Sequence, residues 1–160
     1  MASIDSAVAD ERLLALVKHF EGWRPDIYTC PAGYTTIGWG HVVSSGEDIP
    51  QTIDEATGER LLAADLRVAA EAVFRLAPNL ADEPEHRAAA LIAWTMNLGQ
   101  GNLASSTMLK RVREGRWQEA AHEMRRWDKA TVNGRKTTLA GLTRRREAEA
   151  RLFLTGDLEL

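Results

Sequence analysis

Apolar residues recur at helical spacing over most of the chain. In residues 8–21 they fall on one face of a helix, with Ser6 or Asp10 available to cap its start and Gly22 directly after its end. A second helical pattern covers residues 54–77 and stops before a proline. Four more helices are predicted in the second half of the chain, at 85–98, 105–114, 116–128 and 141–154.

Residues 26–45 interrupt this helical pattern. β-branched and aromatic side chains are concentrated there, and Pro31, Gly33, Gly38 and Gly40 punctuate them. The segment is therefore predicted to form a small antiparallel hairpin or three-stranded sheet. The chain as a whole is predicted to be mainly α with a small antiparallel β-sheet, an α+β arrangement of two lobes joined by the helix at 54–77.

Length and composition narrow the class of protein. The chain has 160 residues, 44% hydrophobic and 27% charged, which fits one domain with a real core and excludes a disordered tail. Its single cysteine, Cys30, cannot form an internal disulfide or a cysteine-rich zinc site. His19, His86 and His122 have no ligand-like spacing with one another or with Cys30, so neither a metal nor a cofactor is expected.

Charge is unevenly distributed along the chain. Residues 110–151 contain 13 Lys/Arg and 6 Asp/Glu residues, whereas residues 1–109 contain 7 Lys/Arg and 15 Asp/Glu residues. The basic third is either a set of solvated helix faces or a surface that attracts an anionic polymer. Because the overall pI is near 5.8, nucleic acid is only a weak candidate, and no nucleic-acid partner is expected.

The N-terminal residues do not have the pattern of a targeting segment. No basic region is followed by a long apolar run, and no window approaches the roughly 20 apolar residues that a membrane helix requires. We therefore expect no signal peptide, no signal anchor and no membrane insertion.

Glu21 is the first candidate for chemistry. It stands at the C-terminal end of the first predicted helix, directly before Gly22. The partial negative charge of a helix C-terminus disfavours an ionised carboxylate, and burial acts in the same direction. A carboxyl group that keeps its proton near neutral pH is what a general acid requires. Taken alone, Glu21 is better explained as an ordinary solvated residue at a helix end.

The residues around and after Glu21 resemble a known motif. From Phe20 the chain reads FEGWRPDIYTCPAGYTTIGWGHV. This resembles the phage T4-type lysozymes, glycoside hydrolase family 24, in which a Glu is followed after eight residues by Asp or Cys and after five more by Thr. Glu21, Cys30 and Thr36 have these spacings.

The resemblance extends over residues 10–155. Asn97-Leu98-Gly99 and the segment from Ser106 to Leu109 are similar to the family's second-lobe segment that faces the cleft. Near the end of the chain, the run GLTRRREAE matches the family's closing Gly-Leu-x-x-Arg-Arg-x-x-Glu motif.

The resemblance implies both a fold and a reaction. The implied fold has an N-terminal lobe at about 10–55, a connecting helix at about 54–77, a helical C-terminal lobe at about 84–155, and the active site in the cleft. The implied reaction is hydrolysis of the β-1,4 bond between N-acetylmuramic acid and N-acetylglucosamine in peptidoglycan. Glu21 would be the general acid, Thr36 would hold the attacking water, and Cys30 would assist the water or the cationic centre.

Further residues match positions around the family's active site. His41 and Arg145 would support the catalytic residues, Arg145 by pairing with Glu21, unless it is a solvated member of the arginine run at 144–146. Trp39 lies in a Gly-Trp-Gly turn and is the best candidate to stack on a sugar. The expected substrate-binding set is Trp39, Gly40, Val42, Met96, Asn97 and Thr107.

Cys30 leaves the mechanism open. Many members of the family have Asp at this position, and a free thiol is mostly neutral at pH 7. Asp26 could supply a carboxylate instead, or Cys30 could be a small buried hydrophobe. A cysteine peptidase or amidase with Cys30 and His41 is disfavoured, because Cys30 enters a turn and not a helix N-terminus. The stronger alternatives are a lytic transglycosylase of the same fold and a noncatalytic peptidoglycan-binding module.

The biological setting implied by the resemblance is a phage endolysin. Such a protein would act as a monomer on bacterial peptidoglycan. It would stay in the host cytoplasm until a holin-like membrane lesion released it to the cell wall or periplasm.

Overall fold

Eight α-helices and five short β-strands make up the computed structural model, which describes residues 1–160. The helices are α1 (Ile4–Val8), α2 (Glu11–Glu21), α3 (Glu55–Leu76), α4 (Glu85–Leu98), α5 (Gln100–Ser105), α6 (Thr107–Arg113), α7 (Trp117–Arg125) and α8 (Ala140–Thr155). The strands are β1 (Arg24–Thr29), β2 (Thr35–Gly38), β3 (His41–Val42), β4 (Lys129–Val132) and β5 (Arg135–Thr138). No helix combines the length and the apolar character needed to cross a bilayer.

The predicted helix at 8–21 begins only at Glu11, because Asp10 caps it there, and a separate short helix, α1, ends at Val8. The Asp10 carboxylate accepts a hydrogen bond from the Arg12 amide at 2.9 Å and caps α2. Ser6, the other predicted cap, instead lies inside α1 and forms a capping box with Ser3. At its other end α2 stops at Gly22, whose φ of 70° turns the chain out of the helix.

The predicted small sheet is present and has three antiparallel strands in the order β1-β2-β3. Thr36 on the central strand β2 is opposite Tyr28 on β1 and Val42 on β3. The neighbouring Ile37 is fully buried. Thr36 therefore lies in the middle of the sheet, with Tyr28 and Val42 on either side.

The sequence pattern predicted only helices beyond Pro84, but this part of the chain also contains two strands. The predicted helix at 116–128 ends at Arg125, and β4 and β5 form a hairpin around Asn133-Gly134. Both turn residues have positive φ, as a two-residue hairpin turn requires. Nearly every residue of this hairpin is exposed, so the alternation of apolar and polar residues that marks a half-buried strand is missing. The short helix α5 was also missed.

The core is built around α4. Its residues 88–95 are all buried, and it packs against α1, α2, α3 and α8. Helix α3 contains 22 residues, about 33 Å of helix. It contacts β2 and β3 as well as α4 and α5, so it connects the sheet to the helical body. This arrangement leaves a cleft between the sheet and the helical body.

Candidate active site

Glu21 lies in this cleft, which has a volume of about 310 Å³. As the last residue of α2, its side chain is held where the chain turns towards β1, and it is 23% exposed. Side chains and backbone from three directions complete the walls: Gly40 and Val42 from the sheet, Asp65 and Ala69 from α3, and Met96 from α4. Gly40, Val42 and Met96, all expected on the substrate side, thus meet around Glu21.

Arg145 on α8 forms an ion pair with Glu21. Its Nη1 donates to Oε1 of Glu21 at 2.8 Å, and its Nη2 donates to the carbonyl of Ala93 at 3.4 Å. Arg145 is 4% exposed, so the alternative of a solvated arginine is wrong.

Gly40 packs directly on Glu21. A Cβ atom at this position would lie 2.5 Å from Oε2 of Glu21 and 2.9 Å from its Cδ. The φ of 79° at Gly40 is also one that side-chain-bearing residues rarely adopt. Glycine is therefore required here both by the backbone and by the close approach of the carboxyl group.

Cys30 directly follows β1 and Thr36 lies on β2, and neither lines the main cleft. Burial raises the pKa of the Tyr28 phenol, and the negative charges of Glu21 and Cys30 raise it further, so Tyr28 lies close enough to sense both. The amide N–H of Tyr34 lowers the pKa of the Cys30 thiol, and desolvation opposes this. Thr36 is 3% exposed and donates its hydroxyl proton to the carbonyl of Tyr34 at 3.0 Å.

His41 joins two carboxylates. Its Nδ1 is 2.8 Å from Oδ2 of Asp65, and its Nε2 is 2.9 Å from Oε1 of Glu47. Burial opposes a charged imidazole, but the hydrogen bonds and charges of the two carboxylates outweigh it and raise the pKa of His41. Burial also raises the pKa of Asp65. His41 thus ties β3 to α3 beside the cleft.

Asp65 is a cleft residue that was not predicted from the sequence. It lies on the same helical face as Val68 and Ala69, three and four positions later, and all three line the cleft with Glu21. An acidic residue on a helical stripe of otherwise apolar residues was the available signal. Asp26, considered as a substitute carboxylate, instead accepts a hydrogen bond from Thr52 at 2.6 Å and does not line the cleft.

Three residues expected on the substrate side do not line the main cleft. Trp39 is 8% exposed, its ring lies 4.4 Å from that of Trp23, and it does not line the cleft, so it packs in the core and is not a sugar platform. Asn97 lines a second pocket that Glu21 and Arg145 also line, and its side-chain oxygen accepts a hydrogen bond from Arg146 Nη2 at 2.7 Å. Thr107 is exposed and lines a separate pocket beside the β4–β5 hairpin.

The phage lysozyme family profile matches residues 18–149 of this chain. The chain belongs to the phage lysozyme family. This family member is 34% identical over 144 residues to an endolysin of Acyrthosiphon pisum secondary endosymbiont phage 1, covering 89% of this chain and 95% of that protein. It is 38% identical over 146 residues to an endolysin of Bacillus phage B103, covering 89% of this chain but only 52%, about half, of that longer relative.

Solved structures agree with this membership. An endolysin from Escherichia coli O157:H7 phage FAHEc1 superposes with a TM-score of 0.83 at 30% identity, covering 94% of this chain and 96% of that one. The muramidase domain of SpmX from Asticaccaulis excentricus superposes with a TM-score of 0.79 at 34% identity, covering 91% and 97%. The predicted lysozyme-like fold and the predicted enzyme class, a lysozyme-type glycoside hydrolase, are confirmed.

Proposed function

We propose that this lysozyme is an endolysin muramidase that hydrolyses the β-1,4 bond between N-acetylmuramic acid and N-acetylglucosamine, with Glu21 as the general acid. The observation that carries the proposal is the position of the Glu21 carboxyl group. It lies in the cleft between the sheet and the helical body, with one oxygen held by buried Arg145 and the other against Gly40. A carboxyl group held this firmly can deliver a proton to one defined oxygen of a bound sugar chain.

The reaction begins with transfer of the Glu21 proton to the glycosidic oxygen while the bond from that oxygen to C1 breaks. Water then adds to the positively charged C1 and loses a proton. Val42, Ala69 and Met96 offer apolar contacts to the faces of the sugar rings, and Asp65 offers an acceptor for a sugar hydroxyl.

Thr36 and Cys30 are proposed to act on the attacking water or on the cationic centre. Because the Thr36 hydroxyl donates its proton to the Tyr34 carbonyl, its oxygen remains available to accept a hydrogen bond from water. The lowered pKa of the Cys30 thiol increases the share of thiolate, which can accept a proton from water or stabilise a positive charge.

The proposed setting is phage lysis of a bacterial host. Besides the two relatives above, a relative from Enterobacteria phage P21 carries the name SAR-endolysin and is 34% identical over 127 residues, covering 78% of this chain and 71% of that protein. We infer that the protein acts as a monomer on peptidoglycan, and that it remains in the host cytoplasm until a holin-like membrane lesion opens its route to the wall.

The decisive test is Glu21→Gln, which removes the proton and keeps the shape of the side chain. We expect a folded variant with no measurable clearing of peptidoglycan suspensions. Glu11→Gln is the matched control, because it removes a carboxylate from the first turn of the same helix and should keep the wild-type rate. Clearing by a folded Glu21→Gln variant would refute the assignment of Glu21.

Mass spectrometry of the released fragments distinguishes the remaining reactions. Reducing sugar ends are expected for the proposed hydrolysis. Ends that are 1,6-anhydro sugars would show a lytic transglycosylase. Co-sedimentation with the wall without any released fragment would show a binding module.

A further inference from the structure

A second carboxylate, Glu149, lies directly behind the arginine that holds Glu21. Glu149 is fully buried on α8, one helical turn after Arg145. Its Oε1 accepts a hydrogen bond from Nε of Arg145 at 3.1 Å, while Nη1 of the same arginine reaches Glu21 at 2.8 Å. The guanidinium group of Arg145 therefore bridges the carboxyl group of Glu21 and the fully buried carboxylate of Glu149.

The chain of charges continues one step further, to Arg146. This guanidinium is fully buried, with Nε 2.7 Å from Oε2 of Glu149 and Nη2 3.0 Å from its Oε1. The side chain of Asn97 and the carbonyl of Trp127 accept its other hydrogen bonds, at 2.7 and 3.3 Å. Glu21, Arg145, Glu149 and Arg146 thus form a continuous series of alternating charges.

From this geometry we propose that Glu149 and Arg146 are positioning residues that set the proton affinity of Glu21 through Arg145. The proposal rests on the function proposed above, in which Glu21 must carry a proton to act. Neither residue touches the cleft, so both act only through the guanidinium of Arg145.

The physical basis is charge neutralisation in a region with little solvent. An arginine 2.8 Å from Glu21 strongly favours the ionised carboxylate when its own charge is not compensated. Glu149 compensates that charge and allows Glu21 to keep its proton. Arg146 in turn compensates Glu149 and limits this effect. The two positioning residues therefore act on Glu21 in opposite directions.

The proposed compensation of Arg145 requires an ionised Glu149. Burial raises the pKa of Glu149, but its contacts with two guanidinium groups, at 2.7 to 3.1 Å, favour the ionised form. Without that charge, two buried guanidinium groups would face each other across a neutral acid.

Other ionisable groups also face this series. Asp128, next to α7, acts on Arg146, and Tyr28 on β1 senses the charge of Glu21. Asp65 on α3 shares the cleft with Glu21, and His41 is bonded to Asp65. Helix α4 supplies the uncharged acceptors of Ala93 and Asn97. Apart from Asn97, which one variant replaces, these groups are unchanged in the variants below. Their contributions therefore cancel when each variant is compared with the wild type.

The test is the pH dependence of kcat/KM on soluble peptidoglycan fragments. The basic limb of this profile reports loss of the proton from the general acid. Removal of the Glu149 charge in Glu149→Gln should move the basic limb to lower pH by about one unit. Removal of the Arg146 charge in Arg146→Gln should move it to higher pH by a similar amount. A residue needed only for folding would reduce the rate without opposite shifts of this limb.

Glu147→Gln is the matched control. Glu147 lies on the same helix but forms its ion pair with Arg125 at the surface, at 2.8 and 3.0 Å. Its basic limb should coincide with that of the wild type. Glu149→Asp, which keeps the charge, should also keep the wild-type limb.

If Glu149→Gln or Arg146→Gln does not fold, a third variant that removes no buried charge provides the test. Asn97→Asp is nearly isosteric and adds a negative charge 2.7 Å from Nη2 of Arg146. Because it partly neutralises Arg146, it should move the basic limb to higher pH. Circular dichroism establishes that each variant is folded.

Two results would overturn the inference. One is a set of basic limbs that all coincide with the wild type. The other is a shift of the same sign for Glu149→Gln and Arg146→Gln. With Glu21→Gln inactive, either result rejects the positioning role and leaves the proposed function intact. Clearing by folded Glu21→Gln would instead reject the proposed function itself.

Discussion

Nη1 of Arg145 lies 2.8 Å from Oε1 of Glu21, although 124 positions separate the two residues in the chain. The carboxyl group comes from the end of α2, and the guanidinium comes from the last helix, α8. The active site is therefore complete only when α8 has docked on the helical body. Substitutions that loosen α8 should reduce activity before they unfold the sheet, because α8 packs mainly on helices α4 and α7 and not on the sheet.

Gly40→Ala should reduce the activity of the enzyme by displacing Glu21. The added Cβ would lie 2.5 Å from Oε2 of Glu21, so the carboxyl group must move from its hydrogen bond with Arg145. We expect a loss of at least about tenfold in kcat/KM, since small displacements of a catalytic group are costly. Initial rates of wall clearing by the folded variant measure the loss.

Gly33→Ala separates this clash from backbone strain. Gly33 also has positive φ, 88°, but no atom lies within 4 Å of the position of an added Cβ. Both variants should lose about 1–2 kcal/mol of stability from the left-handed backbone. Only Gly40→Ala should also lose activity once it is folded. Equal rates of wall clearing for the two folded variants would contradict the close approach of Gly40 to Glu21.

His41 should make the stability of the protein depend on pH. The pKa of His41 is raised in the folded state by the two carboxylates beside it, Asp65 and Glu47. Its stabilising contribution is therefore complete below the unfolded pKa of about 6.5 and declines as pH rises through the higher folded value. Urea unfolding of wild type and His41→Asn should differ by about 1–2 kcal/mol at pH 6 and by less at higher pH.

The Glu47→Gln variant is informative about the same cluster. It removes one of the two carboxylates that contact His41 and leaves the contact with Asp65. The pH-dependent part of the stability should therefore shrink without vanishing. A difference between wild type and His41→Asn that stays constant across this pH range would contradict the charge-based explanation.

Cys30→Asp should keep substantial activity, whereas Cys30→Ala should lose roughly tenfold to a hundredfold. Aspartate restores a group that can accept a proton or stabilise a cation, and alanine removes that capacity. Rates of wall clearing compare the two variants with the wild type. An alanine variant as fast as the wild type would show that Cys30 only packs against the sheet.

Alkylation tests the state of the thiol independently. Cys30 is the only cysteine and is partly exposed, so iodoacetamide labels a single site. Its lowered pKa should place the midpoint of the alkylation rate at a lower pH than the value of about 8.5 for a free cysteine. Denatured protein, labelled under the same conditions, provides the reference midpoint.

The β4–β5 hairpin should contribute to salt-sensitive binding of the wall. Lys136 lies in this exposed hairpin and forms no ion pair, and Lys129 on the partner strand forms an ion pair only with the neighbouring Asp128. Lys129→Gln with Lys136→Gln should weaken co-sedimentation with purified wall at low salt and reduce its dependence on ionic strength. Arg60→Gln, on the exposed side of α3, is the control, and unchanged binding by the double variant would contradict the prediction.

Much of the site could be predicted from local sequence. Asp10 caps α2 and Gly22 ends it, so the position of Glu21 at the helix end follows from residues within one turn of either terminus. The spacing of Glu21, Cys30 and Thr36 follows from the turn and the short strands between them. These features depend on the backbone preferences of a few neighbouring residues, which the sequence displays directly.

Trp39 and the second hairpin show where local pattern was insufficient. The Gly-Trp-Gly turn indicated an accessible ring, but the ring packs against Trp23, and Gly58 on α3 leaves room for it. Exposure depends on which element lies opposite, and periodicity contains no such information. The β4–β5 hairpin was missed because its exposed strands have no buried face to impose an alternating pattern.

The sequence by itself determined the family, the helix ends and the local spacing of the candidate catalytic residues. Only the tertiary structure decided that Arg145 pairs with Glu21, that Glu149 and Arg146 compensate that arginine, and that Asp65 joins the cleft. The reason is physical. Backbone preferences act over a few residues, whereas the pairing of buried charges depends on which distant helices exclude water from the same volume.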